Sequence, residues 1–509
     1  MVSKCFAKNR KLYVAFIDFS KCFDSINRSA LFNVLKRHGL SGDFLLTVQC
    51  MYDHVYASVK NSNTMSDYFE SLVGLKQGCL ISPSCFNIFI AELTRKINLY
   101  SRNGIQFSPN DPIIHHLMYA DDNVLISETP VGLQQKLNTL YQQCQRLGLV
   151  VNLNKTKIIV FRKGGFLGQN EHWNYNGTPV EVVNTYSYLG VVLTTKMSFN
   201  LSKEFVIAKA KSIIYQLIRS LKINCCNDLN VFFKVFDAKV LPILAYGSEL
   251  MGIFDNSDLD SIQTKAIKLF LNVSTHSSNT ITYYETGRYP ISISLKIRSI
   301  SYWFRLLRLS SLRFNKQAFI ALDRMQEEGK RNWVSEVKDL LCSLGFSVVW
   351  FSRTVGNEKL FLKCLKQRLI DCEIQNLEMK LSESRHFAFY SSYKTFFSSH
   401  EYLRDNSMDL FLKKQLVQFR FGASIINAHR FKFSNNLDDL KCKKCSLGLI
   451  ENEMHVVFEC PYYEHVRHEL FPSFILNQRD ICSFKYLANE NYMLLAKFLK
   501  TVFKYREMM

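Results

Sequence analysis

Apolar and polar positions follow two different periods along the chain, and the period changes near residue 200. Before that point, short β-rich apolar runs stand between amphipathic stretches. Tyr13-Val-Ala-Phe-Ile-Asp18 predicts a strand that ends on a carboxylate. His116 to Ser127 predicts two apolar strands around a tight acidic turn, Ala120-Asp121-Asp122-Asn123, built from residues that tolerate turn geometry. Leu149 to Phe161 predicts a strand–turn–strand with Asn154-Lys155 at the bend. A helix follows the first strand: Asn27 is placed to cap it, Leu31, Val34, Leu35 and His38 share a face, and Gly39 sits where a C′ glycine belongs. Val131 to Leu147 predicts a second helix. Beyond residue 201 the period is helical over Phe205–Leu221, Leu229–Leu244, Leu259–Leu271 and Ser292–Leu309. Breaks are expected at Lys163–Asn170, Asn272–Thr282 and Ser382–His400. The pattern predicts an α+β fold, mixed at first and then mostly helical.

Composition narrows the class. With 509 residues the chain has room for about three units. An apolar fraction of 47% and a charged fraction of 21% exclude wholesale disorder. No apolar run reaches the ~18 residues of a membrane span. Met1 to Arg10 lacks the apolar core of a secretory signal, and the fifteen cysteines are odd in number and scattered. Reduced thiols in an intracellular protein, some of them metal ligands, are therefore expected. The net charge of +20 points to a polyanionic partner, with a solvated basic surface as the alternative.

The carboxylates carry the sharper signal. Asp18 ends one strand, and Asp121 and Asp122 sit in the turn of a hairpin about a hundred residues later. Adjacent carboxylates repel, and no lysine stands beside them in sequence. A divalent cation would relieve that cost, because carboxylate oxygens are the ligands Mg²⁺ prefers and substrate phosphates complete its shell. A solvated hairpin turn is the plainer explanation of the dipeptide taken alone.

The surrounding strings decide between them. Ala15-Phe-Ile-Asp18-Phe-Ser-Lys-Cys-Phe23-Asp24 resembles the first palm motif of reverse transcriptases. Gly74-Leu-Lys-Gln77-Gly78-Cys-Leu-Ile-Ser82-Pro83, running on to Phe86-Asn87, resembles the second, and Tyr119-Ala-Asp121-Asp122 the third. Gly148 to Lys157 resembles the fourth and Tyr188-Leu189-Gly190 the fifth. Tyr246-Gly247-Ser248-Glu249 and Glu285-Thr-Gly287-Arg288-Tyr-Pro290 resemble the stretch that follows the polymerase core in LINE-type, non-LTR retrotransposon proteins.

The resemblance implies a right-hand palm followed by a mostly helical thumb and C-terminal region. It implies RNA-directed DNA polymerase activity on an RNA template, a DNA primer or target and deoxynucleoside triphosphates. Asp18, Asp121 and Asp122 match the family's ligands for two Mg²⁺ ions. Phe23 matches the ring placed under the incoming sugar, where it disfavours a 2′-hydroxyl; a core phenylalanine is the alternative. Gln77 and Gly78 match a loop that contacts nucleotide and template. Lys155 matches a lysine that protonates the leaving pyrophosphate, with Lys157 as a second candidate. Asp24 reads as structural, where the following helix begins. Asp18 arrives early, so the fingers region and an upstream endonuclease are expected to be missing, as in an N-terminally truncated copy. A catalytically defective remnant that only binds nucleic acid is the alternative function. An intron maturase or telomerase subunit is a third reading, disfavoured by the Tyr246–Glu249 stretch and the C-terminal cysteines. The expected domains are a palm over 1–200, a helical thumb over 201–330, a helical linker over 331–435 and a cysteine-rich module over 436–509. The expected location is the nucleus or cytoplasm, as a ribonucleoprotein, without a membrane.

That module contains Cys442-Lys-Lys-Cys445, then His455 and Cys460. Three thiolates and an imidazole match the closed ligand set of structural Zn²⁺, and buried unliganded cysteines are the alternative. The arrangement also resembles the Cys-Cys-His-Cys motif of many non-LTR retrotransposon proteins, including the following Pro461-x-Tyr463. Cys225-Cys226, with no histidine partner, reads as structural. Lys413, Lys414, Arg420, Arg430 and Lys432 are interleaved with Phe411, Phe419, Phe421, Phe431 and Phe433. The cations are candidates for phosphate contacts, and most of the rings are expected in a core. Lys296, Arg298, Arg305 and Arg308 form a second basic stripe.

Overall fold

The computed structural model describes residues 1–101, 103–109, 111–431 and 434–507. They divide into two compact units, Met1–Ser202 with Leu309–Ser335, and Lys203–Arg308 with Glu336–Met509.

The first unit is built on a four-stranded antiparallel sheet. Its order is His116–Tyr119, Asp122–Ser127, Leu12–Ile17, Lys157–Phe161. Leu12–Ile17 is central and buried on both faces, which is why its sequence is an unbroken apolar run. Tyr13, Ala15 and Ile17 face one core, with Leu31, Phe89 and Leu137 from the helices Arg28–Arg37, Ser82–Tyr100 and Pro130–Leu147. Truncating a ring as buried as Phe89 to alanine typically costs about 3–5 kcal/mol. Leu12, Val14 and Phe16 face a second core with Val124, Ile126 and Ile159. Tyr186 and Tyr188, from the hairpin Thr185–Tyr188/Val191–Thr194, pack against this second core. So do Ala318 and Ala321 of the helix Phe314–Glu327, so residues 309–335 lie with the first unit although they fall late in the chain.

The second unit is helical around one continuous core that takes in Phe232, Phe236, Leu416, Val457, Cys460 and Phe498. The cysteine-rich segment shares that core. An ion pair is buried within the unit: Arg420 Nε lies 2.6 Å from Glu285 Oε1, and the hydroxyls of Tyr390 and Tyr402 donate to the same carboxylate. These partners hold the Glu285 carboxyl down at about 2 against the opposing pull of burial; the Arg420 charge is the largest of the favourable causes.

Several elements differ from the pattern reading. The helix expected over Leu229–Leu244 breaks after Lys239, and Pro242 opens a separate turn, because proline has no N–H to give the preceding helix. The expected break at Asn272–Thr282 is entered by a helix, Asn279–Thr286, whose N-cap Ser278 accepts from Ile281 N. The break at Ser382–His400 contains the helix Ala388–Tyr393, because Tyr390 and Tyr393 are drawn into the core. Before the Asn154-Lys155 bend there is only a Phe19–Val151 bridge instead of a strand. His38 is the exposed C-cap of its helix and not part of the buried face. The helix Ser82–Tyr100 and the small hairpins at 56–70 are additions the pattern did not indicate. No helix among the described residues is long and apolar enough to cross a membrane.

Candidate active site and metal centre

The register of the sheet brings the aspartates together. Ile17 stands opposite Asn123, so Asp18 leaves one strand where Asp122 opens its antiparallel partner, and the Asp18 charge acts on Asp122. Both belong to the face that carries Phe16 and Val124, by the period-two alternation of strand side chains. Asp121 is at the hairpin tip, in a two-residue turn closed by the Tyr119–Asp122 pair. Ala120 there adopts φ +54°, a left-handed conformation that costs a residue with a Cβ. The turn is tied down by Asn123, whose Nδ2 donates to Asp121 O (2.9 Å) while its Oδ1 meets His116 Nε2 (2.7 Å). The chain beyond Asp18 is fixed by Asn152 N–H donating to Asp18 O (2.8 Å).

Neighbouring groups register the negative field. The Asp122 carboxyl is raised above its usual range by burial and then by the charges of Asp121 and Asp18. The Cys22 thiol is pushed up to about 12, chiefly by burial and next by Asp121. The Tyr186 phenol is raised by burial, then by Asp18 and Asp122, and its ring stacks on Phe16 at 4.6 Å between centroids. Tyr186 and Cys22 were not singled out from the sequence. Their signal was proximity to quoted motifs, which alone does not separate lining from core.

The remaining candidates surround this point. Lys155 Nζ lies 3.9 Å from Asp18 Oδ2, whereas Lys157 pairs with Glu181 at 2.6 Å. Between the two candidate lysines, the structure sets Lys155 beside the aspartates. Phe23 is half-buried and stacks on Phe86 at 4.1 Å, so the core accounts for one face of its ring. The loop of Gln77 and Gly78 docks on the turn after Asp18. Gly74 N–H donates to Ile26 O, Leu75 N–H donates to Phe23 O, and Gln77 Nε2 donates to Asp24 Oδ1 (2.9 Å). A Cβ on Gly74 would meet Asp24 O at 2.6 Å, and its φ is +82°, so glycine is required twice over. Gly78 also has positive φ but stands in open space. Asp24 is therefore a partner of Gln77 as well as a neighbour of the following helix.

Cys442, Cys445, His455 and Cys460 bring one ligand atom each to within 4.8 Å of one another, a geometry able to hold a metal ion. Among the described residues it is the one group of three or more such side chains drawn together to that degree. Cys442 Sγ is 4.0 Å from Cys460 Sγ, and Cys445 Sγ is 3.5 Å from His455 Nε2. Sharing a proton with Cys460 holds the Cys442 thiol low, and the same contact pushes Cys460 up. His455 Nδ1 faces Glu459 Oε2 at 3.4 Å. Glu451, fully buried, accepts from Asn427 N (2.8 Å) and is gripped by both terminal nitrogens of Arg506, while Cys442 Sγ lies 3.7 Å from its Oε1. This carboxylate–arginine support was missed, because nothing in the local string links Glu451 to Arg506.

Residues 2–193 match the family model described as reverse transcriptase (RNA-dependent DNA polymerase). A Pol polyprotein from the type-2 retrotransposable element R2DM of Drosophila melanogaster is 32% identical over 146 residues, 29% of this chain and 13% of that protein. A Pol polyprotein from the type-1 element R2 of Popillia japonica is 23% identical over 286 residues, 53% of this chain and 44% of that protein. The matched residues are thus a reverse transcriptase domain, and the similar proteins are non-LTR retrotransposon polyproteins. The chain spans less than half the length of either relative. A telomerase structure from Candida tropicalis overlaps 39% of this chain and 37% of its own at 17% identity and a TM-score of 0.28, too low to carry an argument.

The basic candidates of the helical unit sort by burial. Arg420 is spent on Glu285, and Lys413 is buried against the carbonyls of Asn227 and Leu403, so neither reaches solvent phosphate. This corrects the expectation for both. Phe419 and Phe421 are core residues, whereas Lys414, Arg430 and Phe411 are exposed. Lys432 and Phe433 lie outside the described residues. In the second stripe, Arg298 and Arg308 meet Glu249 and Glu358.

Proposed function

We propose that the chain is an RNA-directed DNA polymerase of a non-LTR retrotransposon, adding deoxynucleotides to a primer 3′-hydroxyl against an RNA template. The observation that carries this reading is that Asp18 follows the strand Leu12–Ile17 where Asp122 opens its antiparallel partner, with Asp121 in the adjoining turn and both charges acting on Asp122. These carboxylates are hard oxygen donors, and burial followed by the charges of Asp121 and Asp18 raises Asp122, so they suit two Mg²⁺ ions. When bound, those ions supply charge neutralisation for the attacking and leaving oxygens.

The chain's own residues supply position. The bonded Asn123 and Asn152 contacts hold the aspartates in place before any substrate arrives. Lys155, largely exposed and beside Asp18, is placed to give a proton to the departing pyrophosphate. The Gln77–Asp24 bond fixes the loop against which nucleotide and template would rest. Phe23, stiffened by Phe86, would exclude a ribose hydroxyl. Zn²⁺ is proposed for the Cys442, Cys445, His455 and Cys460 set, because three sulfurs and one imidazole nitrogen already converge in a closed, largely buried group.

Primer extension on an RNA template with Mg²⁺ tests the polymerase reading. Synthesis that disappears in Asp121→Asn is expected. A chain that binds RNA but extends no primer would overturn it in favour of the non-catalytic binder.

A further inference from the structure

One cavity of the helical unit, of about 430 Å³, brings two thiols and several lysines together. Cys225 and Cys226 stand on its wall beside Lys222 and Lys414. Lys222 is in the last turn of the helix Asn200–Ile223, and the chain folds back just beyond it. There Cys225 N–H donates to Lys222 O (3.1 Å) and Cys226 N–H donates to Leu221 O (2.9 Å). The pair reads as structural in the sequence. In the fold, Cys225 is exposed, Cys226 is half-buried, and both are free thiols.

The charge around them is one-sided. Lys222 Nζ donates to Asn272 Oδ1 (2.8 Å), a neutral partner that leaves its charge unmatched. Lys414 is exposed on the helix Leu410–Arg420. Lys413 of the same helix also lines the cavity; the carbonyls of Asn227 and Leu403 hold it, and the charges of Asp405, Asp228 and Cys226 act on it. Lys500 Nζ lies 6.0 Å from the centre of the exposed Phe411 ring, which borders the same space. Among the described residues no carboxylate lines the cavity, and Phe270, Leu271 and Val417 give it an apolar wall.

Such a space admits a small organic anion and presents it to a thiol. Cations around a partly exposed cysteine favour its thiolate, the form that exchanges with disulfides. Adjacency adds a second property. The peptide between the two cysteines is trans, so their Cα atoms are about 3.8 Å apart, closer than the roughly 4.4–6.8 Å of an ordinary disulfide. A disulfide ring between them is therefore strained and reopens easily, which suits exchange and not bracing.

We propose that Cys225 and Cys226 are a thiol–disulfide exchange site for an anionic low-molecular-weight disulfide, drawn in by Lys222 and Lys414. Cys225, the exposed thiol, gives up its proton and attacks one sulfur of the disulfide. The S–S bond breaks, one half stays on Cys225 as a mixed disulfide, and the other leaves as a thiolate that takes up a proton. Cys226 then loses its proton and attacks the Cys225 sulfur, which releases the second half in the same way. Two thiols of the chain are oxidised to one disulfide, and the entering disulfide is reduced to two thiols. The inference is independent of the polymerase reading and uses no group of the carboxylate site or of the cysteine–histidine cluster.

Exchange of the reduced full chain with glutathione disulfide, which is anionic, and with cystamine, which is cationic, tests it. Alkylation and peptide mass spectrometry locate the products, since residues 223–234 hold no other cysteine. Relative to the isolated peptide 223–234, the chain is expected to favour glutathione disulfide over cystamine. Lys222→Gln with Lys414→Gln, both at exposed positions, is expected to slow the reaction with glutathione disulfide by about two- to fivefold, the worth of an exposed charge pair, and to quicken that with cystamine. Added salt should narrow both differences. Cys226→Ser should leave the mixed disulfide standing at Cys225, whereas the unsubstituted chain goes on to the ring, which reduced glutathione reopens. The same preference in chain and peptide would overturn the charge-selected site, and so would rates that ignore the two lysines. A mixed disulfide that persists with Cys226 in place would overturn the exchange pair.

Discussion

The aspartate site and the cysteine–histidine cluster both gather metal-ligand side chains, and they do so in opposite ways. Asp18 and Asp122 are half-exposed, Asp121 is exposed, and the Asp122 carboxyl is raised by burial and then by its two acidic neighbours. The cysteines and His455 are drawn to within 4.8 Å, largely buried, and backed by Glu451 and Arg506. An open group of hard oxygens keeps room for substrate phosphates, as a catalytic site must. A closed group of sulfur and nitrogen leaves no vacant position and joins chain segments, as a structural site does. The first should matter for rate, the second for folding.

The widest separation is expected from Asp121→Asn. Primer extension should fall about a thousandfold or more, which needs only the roughly 4 kcal/mol that one well-placed charge can supply. Thermal stability and RNA affinity should be unchanged. A variant that lost both rate and stability would erase the distinction.

Cys442→Ser should do the reverse. It is expected to lower the stability of the helical unit by several kcal/mol, because Cys442 and Cys460 belong to its continuous core and the proposed metal would add its binding free energy to folding. A chelator should reproduce the loss, and circular dichroism at 222 nm would follow it. Stability unmoved by both would mean that the cysteines are only packing.

Acid should affect both units, through buried neutral histidines. His116 beside the aspartate turn and His400 in the helical unit are each pulled down to about 4 from 6.5, chiefly by burial. The unfolded chain binds protons first between those values. The stabilisation is therefore complete above about pH 6.5 and is lost as pH falls toward 4. Denaturant midpoints measured from pH 7 to 4 should fall, and His116→Gln should flatten part of the slope.

The smallest effect sharpens the contrast most. Asp122→Asn removes a like charge from a partly buried cluster, so it should raise the melting temperature slightly, on the order of a degree or two, while impairing extension. A lowered melting temperature would mean that the aspartates stabilise the fold.

Much of the first unit could be read from the chain. Leu12–Ile17 is a buried strand because its sequence is continuously apolar, and Asn27 and Gly39 bound their helix as their chemistry requires. The aspartates could be named because the strings around them resemble the palm motifs of reverse transcriptases. The helical unit was less legible. Arg420 and Lys413 are cations by sequence, yet the fold buries them, one on Glu285 and the other on carbonyl oxygens. The helix Asn279–Thr286 is polar and small at its start, and only packing of Ile281 and Tyr284 reveals why it winds.

The sequence by itself determined the identities that chemistry needs: the three aspartates, the two knuckle cysteines with their histidine and third thiol, and the alternation that makes a sheet. These are local matters, set by side-chain type and by periods of a few residues. Only the tertiary structure decided which distant groups meet. Asp18 lies beside Asp122 through a strand register, Lys155 and not Lys157 stands at Asp18, and Glu451 is gripped by an arginine 55 positions further along the chain. Such pairings are fixed by the packing of whole elements, and burial then settles which charges remain free for a ligand and which are spent on the fold.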